Sequence, residues 1–143
     1  MASDNRRIAE QYIQAMAAND WEAQDRLLAD DFVEEYPQSG ERIIGKANRR
    51  AIIQNYPGGE PSEASSSGPS PKPPVIVGSG DHFTATGKVK YPNGETWHVI
   101  SLVEFRDGKI ARMTDYFAAP FEAPAWRAPY VEVEKAPAGT GSR

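Results

Sequence analysis

Residues 82–117 read HFTATGKVKYPNGETWHVISLVEFRDGKIARMTDYF, and this stretch decides the fold. Three runs rich in β-branched and aromatic residues are separated by Pro92-Asn93-Gly94 and Asp107-Gly108, both strong hairpin signals. A meander of three long antiparallel strands is therefore predicted. Taking Asn93-Gly94 and Asp107-Gly108 as two-residue loops sets a register in which Gly87 lies opposite Ile100, and Ile100 opposite Asp115. Directly paired residues share a face and successive residues alternate. One face then collects Phe83, Ala85, Gly87, Val89 and Tyr91, followed by His98, Ile100, Leu102 and Glu104, and by Ala111, Met113, Asp115 and Phe117. It is the drier face and is expected to look onto the helices as the wall of an apolar pocket. His98 and Asp115 are its anomalies, placed diagonally at about 7–8 Å between α-carbons. The opposite face mixes lysine and threonine with Trp97, Val99, Val103 and Phe105. Apolar side chains on an otherwise wet face imply a partner subunit, so a homodimer through the outer sheet face is expected.

Upstream, Ile8, Tyr12, Ile13, Met16 and Ala17 form the stripe of an amphipathic helix over 4–18. Asn19-Asp20 ends it and caps a shorter helix that turns Trp21, Leu27 and Leu28 inward and stops at Asp30-Asp31. A strand over 32–36 is halted by Pro37, a short return strand covers 42–45, and a third helix runs from 46 to 56. Residues 57–74 hold half of the twelve prolines and a serine run, the composition of a flexible surface loop. The tail over 118–143 is rich in Pro and Ala; Phe121, Trp126 and Tyr130 are expected to dock on the body before the end frays. Helices followed by strands give an α+β class, a curved antiparallel sheet packed on three N-terminal helices, in a single domain over 1–143.

The chain has 143 residues, 16 basic and 20 acidic, with a net charge of −4. That balance argues against a nucleic-acid surface, which needs a basic stripe. No apolar run reaches the roughly 20 residues of a membrane span, and no membrane partner is expected. Zero cysteines exclude disulfides and thiolate chemistry and fit a cytoplasmic location. No ligand spacing supports a metal site, no glycine motif cradles phosphate, and no cofactor is expected.

Asp115 on a dry face has its ionised form disfavoured by desolvation, which moves a carboxyl toward the range of a general acid or base. His98 beside it forms a pair able to move a proton in either direction. Taken singly, a histidine bonded to a backbone carbonyl and a carboxylate paired with arginine are the plainer readings. Tyr36 and Tyr12 are phenols able to donate to a substrate oxygen. Glu34 and Glu35 are assigned no role.

The order of elements, with Ile8-Ala9-Glu10-Gln11-Tyr12, Asn19-Asp20-Trp21, Leu28-Ala29-Asp30-Asp31-Phe32, the Tyr36-Pro37 to Gly45 segment, and Phe105-Arg106-Asp107-Gly108-Lys109-Ile110 running into Asp115-Tyr116-Phe117, resembles the SnoaL-like branch of the nuclear transport factor 2-like superfamily. This branch is related to polyketide cyclases, ketosteroid isomerases and limonene epoxide hydrolase. The resemblance implies a cone-shaped α+β barrel with a deep apolar pocket. It also places Asp115 on a last-strand acid/base aspartate and Tyr12 on a first-helix oxyanion donor. Tyr36 stands where the isomerases keep their base aspartate, and Leu102 where they keep a second pocket acid. The second aspartate and arginine of the epoxide hydrolases have only Asp81 and Ser79 nearby. The reading that follows is a small-molecule acid–base enzyme of cyclase, isomerase or hydratase/hydrolase type. It acts on an apolar oxygenated metabolite with Asp115, His98, Tyr36 and Tyr12 as its catalytic set. Its rival is a non-catalytic protein of the same fold that binds a hydrophobic ligand or serves an assembly.

Overall fold

The computed structural model describes residues 2–63 and 74–133. The chain runs α1 (Ala2–Ala17), α2 (Trp21–Leu27), β1 (Leu28–Tyr36), β2 (Glu41–Ile44), α3 (Lys46–Gln54), β3 (Ser62–Glu63), β4 (Val75–Ser79), β5 (His82–Lys90), β6 (Thr96–Arg106) and β7 (Lys109–Ala118), then a 3₁₀ turn over Ala125–Tyr130. The class is α+β, with the N-terminal helices against one face of a curved sheet. Asn19 turns the chain at φ 54°, and the Asp20 carboxylate accepts from the Ala23 backbone N–H at 3.1 Å to cap α2. Leu27 ends α2 and Leu28 opens β1 with no intervening turn. Asp30 and Asp31, expected to stop the helix, instead sit in the strand, where its pairing with β7 is irregular.

The sheet order is β2-β1-β7-β6-β5-β3, with β4 also on β5. It stays open, not closed into the barrel that the family resemblance implies. One ladder is also parallel: β1 against β7, with Glu34 opposite Met113. The remaining ladders are antiparallel. Phe32, Leu28 and Ile110 are fully buried at the centre, and Phe83 packs edge-on against Phe105 at 5.8 Å.

The expected loop over 57–74 is in part built. Residues 57–59 turn, and Ser62–Glu63 pairs with Val89 and Lys90; the rest of that expectation, over 64–73, lies outside the described residues, as does the tail beyond 133. Phe121, Trp126 and Tyr130 do not dock on the body; each is more than 70% exposed.

The register departs from expectation twice. The first hairpin loop has three residues, Pro92, Asn93 and Gly94, closed by the Tyr91 N–H donating to the Glu95 carbonyl at 2.8 Å. Gly87 therefore faces Val99. The second turn is the two-residue Asp107-Gly108, but the ladder shifts by one residue next to Glu104 and Phe105, so that Ser101 faces Asp115. The two shifts cancel between β5 and β7 and leave β6 alone inverted. His98, Ile100 and Leu102 accordingly belong to the outer face and not to the pocket wall. Trp97, Val99, Ser101 and Val103 take their place inside.

Candidate active site

Between the sheet and the helices lies a cavity of about 500 Å³, within the usual range for small-molecule sites. Its wall is mostly apolar. Phe83, Ala85, Gly87 and Val89 come from β5, Met113 and Phe117 from β7, and Trp97, Val99 and Val103 from β6. Ile13, Met16 and Ile53 close it from the helical side.

One group of polar residues gathers at its buried end. Asp115, only 4% exposed, accepts a hydrogen bond from the Ser101 hydroxyl at 2.6 Å. Glu34, equally buried, shares the Phe32–Tyr36 face of β1 and pairs with Met113 across the β1–β7 ladder, which puts it on the same sheet face as Asp115. Burial and the charge of Asp115 push Glu34 well above the usual carboxylate range, against the opposing pull of Arg49. Glu34 therefore keeps its proton at pH values where an ordinary carboxyl has lost it.

Arg49, from α3, is 3% exposed. It donates to the Gln24 side-chain oxygen at 2.7 Å, and Gln24 in turn donates to the Ala15 carbonyl at 3.2 Å. Its Nε lies 3.4 Å from Glu34 Oε1, too poorly aligned for a hydrogen bond. Burial opposes the charge of Arg49, but Tyr12, Glu34, Asp115 and Tyr36 around it more than restore its basicity. The Tyr12 ring lies beneath the guanidinium at 5.3 Å.

Tyr12, 2% exposed, lines the same cavity, and its hydroxyl has no partner among the described residues. Burial raises both Tyr12 and Tyr36 far above the usual phenol value, with a smaller push from Glu34 and Asp115. Both are donors at neutral pH. Tyr36 also lines the cavity and meets Phe117 edge-on at 5.2 Å.

The structure brings Asp115, Tyr12 and Tyr36 together and removes His98. That imidazole is exposed on the outer face, opposite Lys88 and Ala118, because β6 is inverted. His82, at the start of β5, is likewise exposed.

Sequence reasoning passed over Glu34, Arg49, Gln24 and Ser101. Two of these carried a signal. Glu34 alternates with Phe32 and Tyr36 on one strand face, and Arg49 precedes Ile52 and Ile53 at helical spacing on the apolar side of α3. Glu35 points the other way, to Arg112 at 2.7 Å and Arg42 at 3.4 Å. Among the described residues no group of three or more His, Cys, Asp or Glu side chains is placed to hold a metal ion, and no helix is long and apolar enough to cross a membrane.

This geometry has relatives. A nuclear transport factor 2-like protein of unknown function from Burkholderia xenovorans LB400 superposes with a TM-score of 0.75 at 35% identity, over 93% of this chain and 97% of that one. A candidate ketosteroid isomerase from Kribbella flavida DSM 17836 follows with a TM-score of 0.74 at 25% identity, over 99% and 96%. A candidate polyketide cyclase from Xanthomonas campestris pv. campestris has a TM-score of 0.65 at 23% identity, over 80% and 90%, and is similar in fold. No curated protein sequence matches the chain. The SnoaL-like domain model matches residues 9–113, and with it the chain belongs to the SnoaL-like family of the nuclear transport factor 2-like superfamily.

Proposed function

We propose that the protein is a small-molecule acid–base enzyme, of cyclase, isomerase or hydratase/hydrolase type, acting on an apolar oxygenated metabolite held in the cavity. The observation that carries this reading is the meeting of Glu34 and Asp115, two carboxyls each only 4% exposed, on the wall of a mostly apolar cavity beside Arg49. Two carboxyls whose environments differ can divide the roles of base and acid. Asp115 accepts a proton from substrate carbon or from an attacking water. Glu34 delivers its own proton to the substrate oxygen or leaving group, and the pair then resets. The unpartnered Tyr12 hydroxyl steadies charge developing on that oxygen, and Ser101 orients Asp115.

The likeness to a candidate ketosteroid isomerase and a candidate polyketide cyclase supports the class of chemistry. The rival, a non-catalytic ligand-binding protein, draws on the Gln24–Arg49–Glu34 chain, which is also suited to holding helices to sheet. Screening of apolar ketones, epoxides and enols for turnover separates the two. With a substrate in hand, Asp115→Asn is expected to lower kcat by about 10²–10⁴. Unchanged turnover in that variant overturns the proposal.

A further inference from the structure

Gln24 is the one buried residue of α2, a helix of only seven residues, and it is 1% exposed. Burying a primary amide costs free energy unless its polar atoms are bonded. Here both ends are. The Gln24 nitrogen donates to the Ala15 carbonyl at 3.2 Å, and its oxygen accepts from Arg49 Nη1 at 2.7 Å. The two partners fix which way the amide points, since a carbonyl only accepts and a guanidinium only donates. They do not depend on it equally. The Ala15 carbonyl also accepts from the Asp20 backbone N–H at 2.9 Å, so it stays satisfied without Gln24. The demand for an amide at this position therefore comes from Arg49.

Arg49 is held from separate elements. Gln24 of α2 takes Nη1, the Tyr12 ring of α1 lies beneath the guanidinium at 5.3 Å, and Nε is left 3.4 Å from Glu34 of β1. Tyr36 of β1 and Asp115 of β7 are its further titratable neighbours, and Asp25 of α2 and Glu41 of β2 add weaker negative charge. Attraction between charges varies inversely with their separation and is little screened where water is excluded. An arginine head on its long flexible stem, once released, changes its distance to both carboxyls. The field that Glu34 and Asp115 feel thus depends on what holds Nη1.

We propose that Gln24 is a positioning residue of the site: it acts through Arg49, holding the guanidinium with its Nε toward Glu34 so that one fixed positive charge bears on the Glu34 and Asp115 carboxyls. The inference deepens the acid–base reading and rests on it for its purpose. Its test needs no substrate and reads no turnover, so the two can fail separately.

The measurement is the titration of the two carboxyls in the intact, ligand-free protein, followed by carbon-13 nuclear magnetic resonance with aspartate and glutamate labelled. Gln24→Met keeps an unbranched side chain of similar length and removes both hydrogen bonds. The titration midpoint of Glu34, of Asp115 or of both is expected to rise by at least about half a unit, because the cation that favours their charged forms has moved away. Unchanged or lowered midpoints in the folded variant overturn the proposal and leave Gln24 as a tie between helices. In an Arg49→Met background the same substitution is expected to shift nothing further, as for a residue that acts through another. A shift of the same size in that background overturns the proposal as well. Where either variant fails to fold, by near-ultraviolet circular dichroism, the wild-type protein decides. Its nitrogen-15 spectrum is expected to resolve the two Nη nitrogens of Arg49, the signature of a guanidinium that does not rotate, and a single averaged signal overturns the proposal.

Discussion

Glu34 shows how one residue can serve chemistry at the expense of stability. Its carboxyl is held neutral by burial first and by Asp115 second, whereas in the unfolded chain it titrates near the reference value of 4.5. Above that value the unfolded state releases a proton that the folded state retains. The folded state therefore binds more protons, and stability falls as pH rises until Glu34 itself ionises. Glutamine at this position copies the neutral carboxyl without the penalty. Glu34→Gln is expected to melt near wild type at pH about 4.5 and to become progressively more stable than wild type as pH rises above it. Calorimetric melting of both proteins across that range checks the sign; a constant difference means that Glu34 is ionised in the fold.

Strand β6 is where an element changes the site. Its inward set is Trp97, Val99, Ser101, Val103 and Phe105, and it is Ser101, not His98, that meets Asp115. The three-residue hairpin loop responsible ends on Gly94 at φ +93°, a left-handed backbone that glycine adopts without steric cost. A Cβ built there meets nothing within 4 Å, so substitution acts through the backbone alone. Gly94→Ala is expected to cost about 1–2 kcal/mol, measured by urea unfolding. A cost near zero means that the loop takes another turn type, and with it another register for β6.

At the scale of the whole molecule the outer face of the sheet stands out. Inversion of β6 exchanges the apolar residues expected there for Ile100 and Leu102, which stand beside Tyr116 of β7; the three are 44%, 40% and 42% exposed. They adjoin one another across β6 and β7, with Ile100 directly opposite Tyr116. Side chains of this size standing together on a sheet face are the mark of an association surface. We propose that a second copy of the chain covers them, a symmetric arrangement of the commonest kind. Light scattering after size exclusion should give the mass of two chains, and Ile100→Lys with Leu102→Glu should give one. A wild-type protein that is monomeric at every concentration tested removes the proposal.

The amino-acid sequence by itself determined the class of fold, because hydrophobic periodicity and turn residues are local: a stripe on α1, a cap at Asp20, glycines after Asn93 and Asp107. It also determined that Asp115 and Phe83 share a face, since two one-residue shifts cancel between the outer strands of the meander. The inward face of β6 was legible in its own alternation of Trp97, Val99, Val103 and Phe105, but loop length decided the register, and a single residue reverses a strand. The parallel pairing of β1 with β7, the open sheet, and the meeting of Arg49, Glu34, Gln24 and Asp115 were decided only by tertiary structure. Those four residues lie on α3, β1, α2 and β7. No spacing along the chain records which buried charges face each other; that follows from how the helices come to rest on the sheet.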